Sequence, residues 1–87
     1  MSYVPRPPKI PSAFRVGVRS ELEVERILRD GINFEVSAND YDMSELRRMV
    51  RAAVEGNATL SIRDSEELNG FDIRRIATEG KQNVVFR

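Results

Sequence analysis

The sequence predicts an α/β fold, a small and largely parallel sheet of three or four strands with helices packed on one face. Stretches in which apolar and polar residues alternate are each followed by a stretch with apolar residues at helical spacing. A glycine stands at the end of each predicted helix, before the next strand begins: Gly31, Gly56 and Gly80. Because each helix returns the chain to the start of a new strand, the strands should run parallel with right-handed crossovers.

Capping residues place the helices within this pattern. Ser20 stands three residues before Glu23, which is the capping-box spacing that begins a helix, and Asp42 with Glu45 repeats it. The predicted elements are, in order, a strand at 14–18, a helix at 21–30, a strand at 32–36, a helix after Asp42 ending at Gly56, a strand at 58–62, a helix after Asn69 ending at Gly80, and a strand at 84–86.

Helical spacing also predicts which side chains of the helices face the sheet. Apolar residues that recur every three or four positions lie on one side of a helix, and that side packs on the core. The predicted inward residues are Val24, Ile27 and Leu28 in the first helix, Leu46, Met49, Val50 and Ala53 in the second, and Phe71, Ile73, Ile76 and Ala77 in the third.

Two βα units repeat inside the chain. The strand Phe34-Glu-Val36 with the helix 45–50 matches the strand Leu60-Ser-Ile62 with the helix 72–77, at a period of about 25 residues. A parallel sheet covered on both faces has strands that are apolar throughout. Here the outer positions are polar, so one sheet face should be bare or meet a polar partner. Those positions are Asn33, Glu35, Ser37, Thr59, Ser61 and Arg63.

The segment Phe34-Glu-Val-Ser-Ala-Asn39 resembles the L-x-L-x-x-N core of a leucine-rich repeat. The resemblance extends over about 50 residues, and the second copy has Ser65 where the asparagine belongs. It implies an α/β solenoid unit that binds protein on its exposed sheet face. An ordinary small βαβαβ layer is the alternative interpretation.

The 87 residues are enough for one domain. All four prolines lie within residues 1–12, which predicts a flexible, extended proline-rich arm. Residues 13–87 should then form a single α/β domain.

Composition argues against several classes of chemistry. The chain has neither cysteine nor histidine, so thiolate zinc sites, disulfides and the commonest general base are absent. No serine, lysine or carboxylate pair stands in a nucleophile–base pattern. We therefore predict no enzymatic activity and no cofactor. No apolar run is long enough to cross a bilayer and no signal peptide is apparent, which predicts a cytoplasmic protein without a membrane partner.

Acidic residues follow two of the predicted strands, where ligands of parallel α/β sheets bind. They make a weak candidate site for Mg²⁺. The alternative is structural, because helix N-termini attract carboxylates as caps. The candidate residues are Asp40, Asp42, Asp64 and Glu66.

Arginines occupy equivalent points of the two repeats and would form a stripe on the helices. Such a stripe can contact phosphates or an acidic partner. Pairing with carboxylates one turn away, as for Glu45 with Arg48, is the favoured alternative, and the balance of 14 basic and 14 acidic side chains also disfavours nucleic acid. The stripe residues are Arg47, Arg48, Arg51, Arg74 and Arg75.

These observations together predict a non-catalytic protein–protein interaction or self-assembly module, a small subunit or adaptor of a larger complex. Its partner is another protein or a second copy of the chain. A nucleic-acid-binding regulator and a carboxylate metal site are the two alternatives. The predicted contact surface is the polar sheet face with the C-terminal edge strand: Glu35, Ser61, Arg63, Val85, Phe86 and Arg87.

Overall fold

A computed structural model describes residues 17–87 of the chain and shows an α/β fold with a small parallel sheet. The predicted proline-rich arm and most of the predicted strand at 14–18 lie outside the described residues. Residues 17 and 18, at the end of that stretch, form a turn and not a strand. The elements are α1 (Glu21–Arg29), β1 (Phe34–Ser37), α2 (Met43–Gly56), β2 (Leu60–Arg63), a 3₁₀ turn (Ser65–Glu67), α3 (Gly70–Gly80), a second 3₁₀ turn (Lys81–Asn83) and β3 (Val84–Phe86).

The three described strands are parallel and lie in the order β1-β2-β3, which confirms the predicted sheet. Phe34 pairs with Leu60 and Leu60 with Val84. The register therefore aligns equivalent positions of the two βα repeats. Because side chains alternate along a strand, Phe34, Leu60 and Val84 face one side of the sheet, whereas Glu35 and its neighbours face the other.

All three α-helices pack on one face of this sheet, with α2 between α1 and α3. The predicted caps begin each helix. The hydroxyl of Ser20 accepts from the Glu23 amide, Asp42 and Glu45 form a complete capping box, and Asn69 caps α3. The core between helices and sheet is apolar, and its largest fully buried side chains are Leu28, Leu46, Met49, Leu60, Ile62, Ile76, Val24 and Val50.

The three glycines at the ends of the helices serve two different purposes. Gly31 follows α1 with φ +83°, a conformation that favours glycine. Gly56 and Gly80 belong to the helices themselves, and Asn57 (φ 53°) and Lys81 (φ 49°) take the positive φ after them. Positions 56 and 80 have no room for a side chain because neighbouring atoms are close. For example, a Cβ on Gly56 would overlap the Leu28 carbonyl oxygen.

Two of the predicted inward residues of α3 face outward instead, and one of α1 is only half buried. Phe71 is 72% exposed and Ala77 is also exposed, whereas Ile76 is fully buried. With about 100° of rotation per residue, Phe71 and Ile73 lie roughly 160° apart, so they cannot share the side of α3 that packs on the core. Ile27 lies at the margin of the buried side of α1.

Candidate protein-binding surface

The sheet face away from the helices carries charged and small polar side chains, together with one apolar side chain from β3. Glu35, Ser61 and Val85 are paired across the three strands. Arg63 lies two residues after Ser61 on β2 and therefore on the same face. The Nε of Arg63 is 3.6 Å from Glu35 Oε2, and the Nε of Arg87 is 4.0 Å from Glu35 Oε1. We call this surface, formed by Glu35, Ser61, Arg63, Val85 and Arg87, the open sheet face.

The ion pairs of the open sheet face are loose. The side chains of Glu35, Arg63 and Arg87 are 46%, 54% and 65% exposed, and their separations exceed hydrogen-bond length. Exposed pairs of this kind add little to the stability of the fold. These three charges are therefore free to be repositioned by a partner at small cost.

Val85 and Phe86 lie on opposite sides of the sheet. Val85 is 40% exposed and is the apolar member of the open sheet face. The side chain of Phe86 is half buried and packs against the core. Of the two predicted contact residues in β3, only Val85 thus presents its side chain to the open sheet face.

β3 has a paired strand on one side only in the described sheet. The Arg87 amide donates to the Ile62 carbonyl at 2.9 Å, which shows that Arg87 and, two positions earlier, Val85 point their backbone groups toward β2. In a parallel ladder the intervening residue points the opposite way. The N–H and C=O of Phe86 therefore face the free edge of the sheet.

The turn after β2 is hydrogen-bonded to the carboxyl ends of both β1 and β3. Asp64 adopts a positive φ of 57°, and its Oδ2 accepts from the buried Ser37 hydroxyl at 2.6 Å. Ser65 then donates to the Arg87 carbonyl through its amide at 3.2 Å and its hydroxyl at 2.8 Å. This hydrogen bonding fixes the carboxyl end of the sheet, next to the open sheet face.

The four carboxylates suggested as metal ligands do not gather at one point. Within residues 17–87, no three acidic side chains come close enough to hold a metal ion. Asp42 accepts from the Glu45 amide at 2.8 Å as a helix cap, and Asp64 accepts from Ser37. Asp40 borders a small cavity of about 140 Å³ beside Arg19, and Glu66 lies exposed in the 3₁₀ turn.

Three of the five stripe arginines are engaged by carboxylates of neighbouring helices. Arg47 donates to Glu79 Oε1 through Nε at 3.0 Å and Nη2 at 2.7 Å, and Arg51 Nε is 3.8 Å from Glu79 Oε2. Arg48 donates to Glu21 at 2.6 Å, which raises the pKa of Arg48. These contacts join α2 to α3 and to α1. The carboxylate partners of the three arginines therefore lie on other helices, and not one turn away on α2 as the spacing suggested.

Arg74 and Arg75 differ from the other three. Both are exposed on α3, and neither lies within 4.0 Å of a carboxylate oxygen of residues 17–87. With Phe71, Thr78 and Glu79 they line a shallow cavity of about 370 Å³ on the outside of the helix layer.

A buried pair of glutamates between α1 and α2 was not predicted. Glu21 and Glu25 are 7% and 5% exposed. Burial, a hydrogen bond with Glu21 and the charge of Glu21 together raise the pKa of Glu25, although Arg29 donates to it at 3.1 Å. Among residues 17–87, the Oε2 of Glu25 has no hydrogen-bond partner. A helical projection reveals the pair, because positions 21 and 25 share a side of α1 with Val24 and Leu28.

No protein-family model, no curated protein and no solved structure matches this chain. Within residues 17–87 there is also no helix with the length and hydropathy that crossing a membrane requires.

Proposed function

We propose that the chain is a non-catalytic protein–protein interaction or self-assembly module that binds through the open sheet face and the free edge of β3. The observation that supports this proposal best is a parallel sheet with its described helices all on one side. Parallel sheets in proteins are nearly always covered on both faces. A second protein surface bound to the open sheet face would cover the side on which the described residues place no helix.

The chemistry of the open sheet face favours a polar, charged partner surface. It presents Glu35 beside Arg63 and Arg87, with Val85 as the apolar contact. Because carboxylate and guanidinium groups stand side by side, two copies related by a two-fold axis can place Glu35 of one against Arg63 of the other. This self-complementarity makes a second copy of the chain a suitable partner.

The free edge of β3 offers a second means of contact within the same proposal. The outward N–H and C=O of Phe86 can accept an added strand, as exposed sheet edges do in many complexes. A role as a subunit or adaptor, a cytoplasmic setting and the resemblance to a leucine-rich-repeat unit remain predictions.

Size-exclusion chromatography with light scattering, over a range of protein concentrations, tests self-assembly. We expect a mass that rises above 9.9 kDa with concentration. Val85→Lys should return the chain to a monomer because it places a charge in the apolar part of the interface. Val54→Lys is the matched control, since Val54 is 45% exposed and Val85 is 40% exposed, but Val54 lies on α2.

Two results would contradict self-assembly through this face. One is a wild type that stays monomeric at every concentration. The other is an assembly that Val54→Lys disrupts as strongly as Val85→Lys, which would assign the contact to the helices.

The alternative of nucleic-acid binding by the whole arginine stripe has less support. Glu79 is already paired with Arg47 and Arg51, and Glu21 with Arg48, so phosphates would have to displace those contacts. A salt-sensitive gel shift with DNA or RNA that is lost in Arg47→Glu would favour this alternative over the proposal.

A further inference from the structure

The outer side of α3 combines an exposed aromatic ring with arginines. We define this α3 face by Phe71, Arg74, Arg75 and Thr78, which recur at helical spacing. At 72%, Phe71 is the most exposed of the large hydrophobic side chains in residues 17–87. Leaving a phenyl ring in water forgoes a contribution to stability of about 2 kcal/mol. The ring is therefore not explained by the packing of the fold.

The two arginines of the α3 face lack the carboxylate partners that other arginines have. Arg47 and Arg48 each donate to a glutamate of a neighbouring helix at 2.7 Å and 2.6 Å. No carboxylate of residues 17–87 makes such a contact with Arg74 or Arg75. Arg74 and Arg75 follow Phe71 by three and four residues, about one helical turn, and line the same cavity of about 370 Å³.

Two further polar side chains, Thr78 and Glu79, line the same cavity. Glu79 Oε1 accepts from Arg47, Glu79 Oε2 is buried 3.8 Å from Arg51 Nε without a hydrogen-bond partner among residues 17–87, and the Thr78 hydroxyl donates to the Arg74 carbonyl at 2.8 Å. The exposed groups of the α3 face are therefore an apolar ring and two arginine side chains. A ligand complementary to it carries an apolar side chain and carboxylates, since guanidinium groups bind carboxylates through paired, charge-assisted hydrogen bonds.

We propose that the α3 face binds an acidic peptide segment of a partner protein, with an apolar side chain against Phe71 and carboxylates on Arg74 and Arg75. From Phe71 to Thr78 the face is roughly 10 Å long, the span of about two helical turns of peptide. The α3 face belongs to the helix layer, on the opposite side of the sheet from the open sheet face. One chain can therefore engage an acidic peptide and a sheet-face partner at the same time.

Charge favours a peptide over nucleic acid as the occupant. Residues 17–87 hold all 14 acidic side chains, whereas three of the 14 basic ones come before residue 17. This part of the chain is thus net negative, and a polyphosphate gains little from two free arginines because its affinity grows with the number of phosphates neutralised. A short peptide needs only two contacts.

An NMR titration of the ¹⁵N-labelled full chain tests the proposal. The probe is a 12-residue peptide of six Glu or Asp, three Leu and three Ala. Its comparators are the same peptide with Gln and Asn in place of the acids, and a 12-nucleotide oligothymidine. We expect amide shift changes centred on residues 70–79 with the acidic peptide alone.

Two arginine substitutions provide a matched comparison. Arg75 stands four residues after exposed Phe71, and Arg26 stands four residues after Leu22, which is 69% exposed. Arg26 likewise has no carboxylate of residues 17–87 within 4.0 Å, but no second free arginine stands beside it. Arg75→Glu should weaken binding about tenfold, the value of one charge-assisted hydrogen bond. Arg26→Glu should change the dissociation constant of the peptide by less than about twofold from the wild-type value.

Three outcomes would overturn the proposal. Equal losses in Arg75→Glu and Arg26→Glu would indicate unspecific attraction between charges. Tighter binding of the oligothymidine than of the peptide would indicate a nucleic-acid site. The absence of chemical-shift changes with every probe would show that the α3 face does not bind acidic peptides. Val85→Lys should bind the peptide like the wild type, so failure of the sheet-face proposal is seen separately.

Discussion

The two helices that flank α2 use their surfaces differently. α1 has nine residues and buries four of them, including the two glutamates, whereas α3 has eleven residues and buries only Ile76 and Gly80. α1 therefore buries nearly half of its residues in the fold. α3 keeps most of its surface in solvent, and that surface carries the free arginines. The difference indicates that contacts with other molecules are more readily built on α3 than on α1.

The contact between α1 and α2, the α1–α2 seam, also differs from the contact between α2 and α3, the α2–α3 seam, in how closely the helix backbones approach each other. At the α1–α2 seam, Gly56 lies directly against the carbonyl of Leu28 and the backbone of Arg29. At the α2–α3 seam the contacts are side chains: Gly80 lies near Val50, and Arg47 binds Glu79 at the surface. A backbone contact cannot relax as a side-chain contact can. Substitutions at the α1–α2 seam should therefore have the larger effects.

Gly56→Ala should have the largest effect on stability. Its Cβ would overlap the Leu28 carbonyl oxygen and lie 2.7 Å from Arg29 Cα, so α1 and α2 must move apart. We expect a loss of about 3 kcal/mol in the free energy of unfolding. For a domain of this size the loss lowers Tm by roughly 12–24 °C, measurable by circular dichroism.

Gly70→Ala is the control for that substitution. A Cβ at Gly70, the first residue of α3, meets no atom of residues 17–87 within 4 Å, and alanine favours a helix. Its Tm should equal or exceed that of the wild type. Equal destabilisation by both substitutions would show that glycine flexibility, and not close packing, accounts for Gly56.

Ile76→Ala should have the second largest effect and tests how α3 is held. Ile76 is fully buried and is the main apolar contact of α3 with the core. Its truncation should lower the free energy of unfolding by about 3 kcal/mol or slightly less. Phe71→Ala, on the same helix, should change it by less than about 0.5 kcal/mol. Chemical denaturation of both variants checks this contrast, which fails if Phe71→Ala is equally destabilising.

Glu25→Gln should stabilise the chain slightly at pH 7. Burial raises the pKa of Glu25 in the folded state above its ordinary value of 4.5. The stability linked to its protonation is then complete below about pH 4.5 and is lost as pH rises through the folded-state pKa. Glutamine mimics the protonated form, so we expect a gain in the free energy of unfolding at pH 7 that disappears in acid.

Thermal melts of Glu25→Gln and the wild type between pH 3.5 and pH 8 measure this gain. A variant that is less stable than the wild type at pH 7 would show that the Arg29 contact at 3.1 Å outweighs the burial of the carboxylate. Glu55→Gln, at the exposed Arg29 contact, is the control and should change the free energy of unfolding at pH 7 by less than about 1 kcal/mol.

Local chemistry made much of the fold predictable from sequence. Ser20, Asp42 and Asn69 cap helices because their side-chain oxygens accept from amides that have no helical partner, and this depends on only a few neighbouring residues. Strand alternation likewise gave the faces of β1 and β2. Phe71 was misplaced because it was grouped with Ile73, and residues two apart cannot share a face of a helix.

The contacts of the candidate surfaces were less predictable because they join distant residues. Arg47 finds Glu79 and Arg48 finds Glu21 across helix seams, 32 and 27 residues away in the chain. Spacing within one helix contains no information about such partners. The sequence therefore located the arginines on the helices, but it did not distinguish the paired ones from Arg74 and Arg75.

The position of β1 and β3 at opposite edges of the described sheet determines how assembly would end. If β3 pairs with β3 of a second copy about a two-fold axis, the new pair is antiparallel and the assembly closes as a dimer. If β3 pairs with β1 of the next copy, the contact is head to tail and can repeat indefinitely. A scattering mass that levels off at two chains identifies the closed arrangement, and one that keeps growing with concentration identifies a fibre.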